Sequence, residues 1–124
     1  MTNPIRSGWS EHPDYKIEID TSDRPICMVY QETVIAESRR ALLLREQVYA
    51  PVYYFPREDV RMEMFEPIEK LTVCPFKGEA RHWRLRVGDE HIEVAAWSYE
   101  DPFEEVKQIK DHIAFYPEAG ELQK

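Results

Sequence analysis

The segment that most constrains this chain runs from His82 to Trp97. Trp83, Leu85 and Val87 alternate with His82, Arg84 and Arg86, and a period of two is that of a half-buried strand. Val87-Gly88-Asp89-Glu90 supplies a turn, and residues 92–97 return to apolar character. This pattern predicts a β-hairpin. A lone hairpin is marginal in water, so the apolar face needs further strands against it. The rest of the chain offers them. Tyr15, Ile17 and Ile19 alternate with Lys16, Glu18 and Asp20. Residues 26–30 and 33–36 are β-branched and apolar, and predict a second hairpin around Gln31-Glu32, without the usual Asn-Gly or Asp-Gly pair. Residues 52–55 read as a short strand stopped by Pro56. Val60, Met62 and Met64 alternate with Arg61 and Glu63. Residues 66–70 read as a loop, 71–74 as a strand closed by Pro75, and 114–116 as extended chain before Pro117.

Two helices are expected among these strands. Ser38 is a plausible N-cap for the helix-forming run Arg39-Arg40-Ala41-Leu42-Leu43-Leu44-Arg45, predicting a short helix near 39–46. Asp101-Pro102-Phe103-Glu104 has the form of a capping box with proline at the first helical position. Phe103, Val106, Ile109 and Ile113 then mark one face of a helix near 102–112. The expected class is mainly β (β-rich α+β): a single compact, largely antiparallel domain over residues 1–124. Residues 1–14, with Pro4, Gly8 and Pro13, read as an irregular arm, pinned to the body by Trp9.

Composition removes several function classes. A chain of 124 residues buries roughly two-thirds of its unfolded surface, and 43% hydrophobic content is too high for a disordered chain. With 24 acidic against 16 basic residues the net charge is -8, which repels a phosphate backbone unless cations cluster. Arg81, Arg84 and Arg86 are too thin a cluster, so no nucleic-acid partner is expected. No apolar run approaches the ~20 residues of a membrane span, and residues 1–10 lack a charged-then-apolar leader pattern. The expectation is therefore a cytoplasmic protein with no membrane partner. Cys27 and Cys74 cannot form a four-thiolate zinc site, and His12, His82, His91 and His112 are scattered. Neither a metal nor another cofactor is expected. Nothing in the pattern fixes an oligomeric state.

Three segments are richer in reactive and aromatic side chains than a core requires. In the first, Tyr53 and Tyr54 lie on a strand that ends in Pro56-Arg57-Glu58-Asp59. Arg57 can grip an anion with parallel hydrogen bonds, and Glu58 can orient it or act as a base. Equally, Arg57 and Glu58 can be a solvated pair, with Asp59 capping a turn. The second is Cys74-Pro75-Phe76-Lys77-Gly78-Glu79. Lys77 beside Glu79 can be an anchored cation, a proton carrier or an imine-forming amine; the bland reading is a tight turn with an exposed ion pair. Cys74 is either a nucleophile activated by cations or a small apolar residue. In the third, Trp97 and Tyr99 follow Ala95 and Ala96, which suits the wall of a cleft as well as a core. Asp101 reads as the helix cap.

These segments carry a resemblance. Ser38-Arg39-Arg40-Ala41, then residues 51–60, 74–79 and 95–102, and Ala114-Phe115-Tyr116, in this order, resemble the DUF427 family, and Gly8-Trp9-Ser10-Glu11-His12-Pro13 is similar to its N-terminal segment. The resemblance implies a β-tent, or Mss4-like, architecture. Zinc-binding relatives of that architecture use paired Cys-x-x-Cys knuckles, which this chain lacks. The family's occasional nucleotidyltransferase-like label implies clustered carboxylates for magnesium, commonly Asp-x-Asp after a Gly-Ser turn. The nearest spacing here is Glu18-Ile19-Asp20, on an early strand without that turn.

The expected site is one cleft for a small anionic molecule. Tyr54, Trp97 and Tyr99 form its wall, Arg57 and Lys77 hold the anion, and Glu58 and Glu79 orient the cations or transfer protons. The alternatives are a non-catalytic protein-interaction module using an aromatic, acidic surface, and thiol chemistry at Cys74.

Overall fold

The computed structural model describes residues 7–124. Ten strands carry the fold: β1 Ile17–Thr21, β2 Ile26–Tyr30, β3 Thr33–Ser38, β4 Leu42–Glu46, β5 Val52–Pro56, β6 Phe65–Cys74, β7 Gly78–Val87, β8 Glu90–Tyr99, β9 His112–Phe115 and β10 Glu121–Gln123. Seven form an antiparallel sheet in the order β1-β4-β5-β9-β8-β7-β6, and β10-β2-β3 form a smaller one. The chain is thus β-rich, with helical structure limited to short 3₁₀ segments among the described residues.

Alternation along the strands divides the apolar side chains between two cores. On one side Phe55, Trp83, Leu85 and Ile113 pack with Ile26, Met28 and Ile35 of the small sheet. On the other Tyr54, Ala80, Tyr99 and Ala114 pack with Leu44, Val106 and Ile109, and with Trp9 of the arm. Neighbours in sequence, Tyr54 and Phe55 or Ile113 and Ala114, therefore serve opposite faces.

The expected hairpins form. Val87 pairs with Glu90 across Gly88-Asp89, where Gly88 has φ +60°. Tyr30 pairs with Thr33, and both Gln31 (φ 45°) and Glu32 (φ 71°) occupy the left-handed region, as a type I′ turn demands. Gly120, at φ +138°, lets β10 reach β2, since a Cβ there would lie 2.2 Å from the Val29 carbonyl oxygen.

Four local expectations are corrected. The helix near 39–46 is instead β4, paired to β1 and β5. Ser38 Oγ does accept from the Arg40 N–H at 2.9 Å, but the leucine run enters a ladder that buries Leu44, and tertiary pairing overrides helix propensity. The helix near 102–112 shrinks to the 3₁₀ segment Glu104–Ile109, broken at Val106 (φ -127°). Phe103, not Asp101, precedes it, with no side-chain cap, and the Phe103 N–H is held by the Lys77 carbonyl at 3.0 Å. Ile113 belongs to β9. The expected 60–64 strand is a turn containing the 3₁₀ segment Met62–Met64, and the expected 66–70 loop is the first half of β6, which has an irregularity between Ile68 and Leu71.

The described part of the arm is fixed as Trp9 suggested. The Gly8 N–H donates to the Pro75 carbonyl at 2.7 Å and the Trp9 indole N–H to the Phe76 carbonyl at 2.8 Å. Phe76 stacks on Tyr15 with ring centroids 3.7 Å apart. Residues 1–6, including Pro4, lie outside the described residues.

Candidate functional site

On the arm-facing side of the large sheet, β4, β5, β7 and β8 surround a hollow of about 240 Å³. Its base follows from the register. Ala114, Trp97 and His82 form one cross-strand row, and Ala80 lies opposite Tyr99. The small side chains at Ala80 and Ala114, not those at Ala95 and Ala96, belong to the core on this face.

Lys77 enters the hollow from the turn between β6 and β7. Its ammonium donates to Glu46 Oε1 at 2.5 Å, and the side chains are 9% and 12% exposed. A second N–H faces Cys74 Sγ at 3.7 Å. The other carboxylate oxygen of Glu46 accepts from the Tyr15 hydroxyl at 2.5 Å. The arm thus holds Tyr15, Tyr15 holds Glu46, and Glu46 holds Lys77. An ammonium has three donors, so one donor of Lys77 has no partner among the described residues.

The aromatic wall adds further donors. The Trp97 indole N–H donates to the Tyr54 hydroxyl at 3.3 Å, which leaves the Tyr54 proton without an acceptor among the described residues. The Tyr99 hydroxyl likewise has no hydrogen-bond partner there. Burial, reinforced by Tyr54 and then by Cys74 and Glu46, holds the Tyr99 pKa well above that of a free tyrosine, and burial does the same for Tyr54. Both therefore stay protonated and act as donors. Tyr15 is raised by burial and by its bond to Glu46.

His82 also lines the hollow and is 1% exposed. Its Nε2 is 3.0 Å from the Tyr116 hydroxyl. Nδ1 has no partner in normal hydrogen-bond geometry, although the Lys70 and Ala80 backbones lie close. Burial lowers the His82 pKa, which favours the neutral ring.

Of the residues expected in one cleft, the fold brings Tyr54, Lys77, Trp97 and Tyr99 together, with Cys74 beside Lys77. Arg57, Glu58 and Glu79 lie elsewhere. The Arg57 guanidinium sits 4.9 Å over the Trp83 ring, which packs in the core on the other face. Glu58 is exposed and pairs with Arg40 at 2.9 Å; a backbone hydrogen bond and then Arg40 lower its pKa. Asp59 accepts from Ser38 Oγ at 2.6 Å. Glu79 lines a separate hollow with Arg81, Glu100 and Asp101. The convergence of Arg57 with Lys77 is therefore corrected: a proline-stopped strand turned Arg57 toward the opposite face. The sequence reading missed Glu46, Tyr15, His82 and Tyr116. Glu46 falls at the end of the expected 39–46 helix, and no local signal announces a residue that matters only through partners 31 positions away.

Among the described residues, no cluster of three or more His, Cys, Asp or Glu could hold a metal ion, and no helix is long and apolar enough to cross a membrane. Cys27 and Cys74 are free thiols.

Fold and site together define a β-rich protein with a lysine-bearing aromatic hollow on one face of an antiparallel sheet. The chain belongs to the DUF427 family, a domain of unknown function, whose family model matches residues 18–123. The matched span includes every residue of the hollow named above except Tyr15, which supports it from the arm. Comparison with curated proteins gives no match.

Proposed function

We propose that the protein binds a small molecule through an acceptor-rich, anionic group placed against Lys77, Tyr54 and Tyr99. One observation carries this reading: three donors without acceptors among the described residues line one hollow. A carboxylate or similar group carries the acceptors that such donors lack within the protein, and hydrogen bonds to a charged group are the stronger kind. Trp97 and the tyrosine rings offer an apolar wall for the rest of the molecule. At about 240 Å³ the space is below the ~300–1,000 Å³ of drug-sized pockets, which selects a small metabolite. Glu46 fixes the cation and leaves the site with no net charge, so the tyrosine hydroxyls supply much of the attraction.

A thermal-shift screen of small carboxylic acids, followed by calorimetry, tests the reading. A ligand of wild type should bind Tyr99→Phe about tenfold more weakly, the value of one hydrogen bond to a charged group, while the variant melts at an unchanged temperature. Undiminished binding by Tyr99→Phe, or no wild-type response to any acid, overturns it.

A further inference from the structure

Resting on that reading of the hollow, we propose that its ligand carries a carbonyl and that Lys77 joins it as an imine.

The argument starts from contrast. Lys16, Lys70, Lys107, Lys110 and Lys124 are exposed, and Lys77 alone among the described lysines is buried. A structural ion pair needs neither a hollow beside the ammonium nor proton donors across from it. Lys77 lines such a hollow, and the hydroxyl-bearing Tyr54 and Tyr99 line it too. It also has an acceptor for its proton at 2.5 Å in Glu46. Nucleophile, base and acid are the three roles that carbonyl condensation requires.

The steps balance. The Lys77 ammonium passes one proton to the Glu46 carboxylate. The amine lone pair forms the C–N bond, and the carbonyl π electrons move to oxygen. A tyrosine hydroxyl gives its proton to that oxygen and regains one from the nitrogen, producing a neutral carbinolamine. The Glu46 carboxyl then protonates the hydroxyl, the C–O bond breaks, water leaves, and the nitrogen lone pair closes C=N. Ammonium plus carbonyl has become iminium plus water, and the iminium faces a carboxylate as the ammonium did. No oxidant or reductant takes part.

Burial makes the test discriminating. With an unselective aldehyde, exposed lysines react first and Lys77 last. The full-length protein is treated with glyoxylate, pyruvate or benzaldehyde, each limiting and each with cyanoborohydride, and adducts are mapped by peptide mass spectrometry. At least one probe should label Lys77 several-fold above every exposed lysine. Tyr99→Phe should slow that labelling about tenfold without changing labelling at Lys16 or Lys107. Labelling confined to exposed lysines with all three probes overturns the imine. Glycolate and benzoate, which lack the reactive carbonyl, separate the two ideas. If they protect the fold thermally while Lys77 stays unlabelled, binding stands and the imine falls. If neither they nor the carbonyl probes bind, both fall. Because the mapping is done on wild type, it does not depend on a Lys77 variant folding.

Discussion

At the scale of single residues, the Lys77–Glu46 pair is costly to disturb and cheap to replace. Each charge lies in a largely buried setting where its partner supplies most of the compensation lost from water. Removing one partner strands the other. Glu46→Leu should therefore destabilise the fold by about 3–5 kcal/mol, whereas the double variant Lys77→Met/Glu46→Leu should recover most of that loss. Urea denaturation of the two variants measures the difference; a double variant as unstable as the single one would mean that Tyr15 or Cys74, not the charge pair, dominates. His82 gives a pH signature. Its folded pKa lies below the ordinary 6.5 because burial disfavours the imidazolium. Above about 6.5 folded and unfolded states are both neutral. As the pH falls below 6.5 the unfolded chain takes up a proton that the folded chain refuses, so stability declines until the folded pKa is reached. Thermal melts between pH 7 and 5 should show this decline, and His82→Gln should flatten it. The carboxylates of Glu58 and Glu93 are both lowered from 4.5, so their contribution is lost at lower pH and leaves this window clear.

At the scale of elements, backbone geometry sets the terms. The β2–β3 hairpin turns through Gln31 and Glu32, both at positive φ, where a residue with a Cβ carries roughly 1–2 kcal/mol of strain. Glu32→Gly should stabilise the protein by about 1 kcal/mol, after the extra freedom glycine gains in the unfolded chain is offset; the shift in the urea midpoint checks it. The hairpin itself was legible because two β-branched, apolar runs flank a two-residue gap, and the β7–β8 hairpin was legible from the alternation of β7 and the Gly88-Asp89 turn. The leucine-rich run of β4 was not. Leu42, Leu43 and Leu44 suit a helix locally, and only pairing with β1 and β5 makes them a strand. The Asp101–Glu104 box failed for a related reason: the Phe103 N–H is taken by the Lys77 carbonyl, so the segment starts later and winds as 3₁₀. Val106 and Ile109, the buried residues of that segment, are three apart, which fits three residues per turn. In the site, the aromatic strand residues Tyr54, Trp97 and Tyr99 could be nominated because alternation fixes their facing. Arg57 and Glu79 could not be placed, because they follow turns whose direction depends on contacts far away in sequence.

At the scale of the whole molecule, the hollow is assembled by long-range contacts, and its weakest link is the arm. Trp9 packs edge-on against Phe76, with centroids 5.2 Å apart, and against Tyr15 at 5.9 Å. Its indole N–H secures the Phe76 carbonyl, one residue before Lys77. Through Tyr15 the same cluster steadies Glu46. None of this touches the small sheet or the core on the far side. Trp9→Ala should therefore act on the site more than on the fold. Partly buried, Trp9 should cost about 1–2 kcal/mol, less than the ~3–5 of a fully buried tryptophan. Local opening of the β6–β7 turn should rise by that whole amount, whereas β2, β3 and β9 should open only through global unfolding. Native-state hydrogen exchange distinguishes the two. Faster exchange at Lys77 and Gly78, with protection in β9 reduced by no more than the global loss, is the expected pattern. A uniform loss across all strands would make the arm part of the common core, and the hollow would then be no more adjustable than the sheet beneath it.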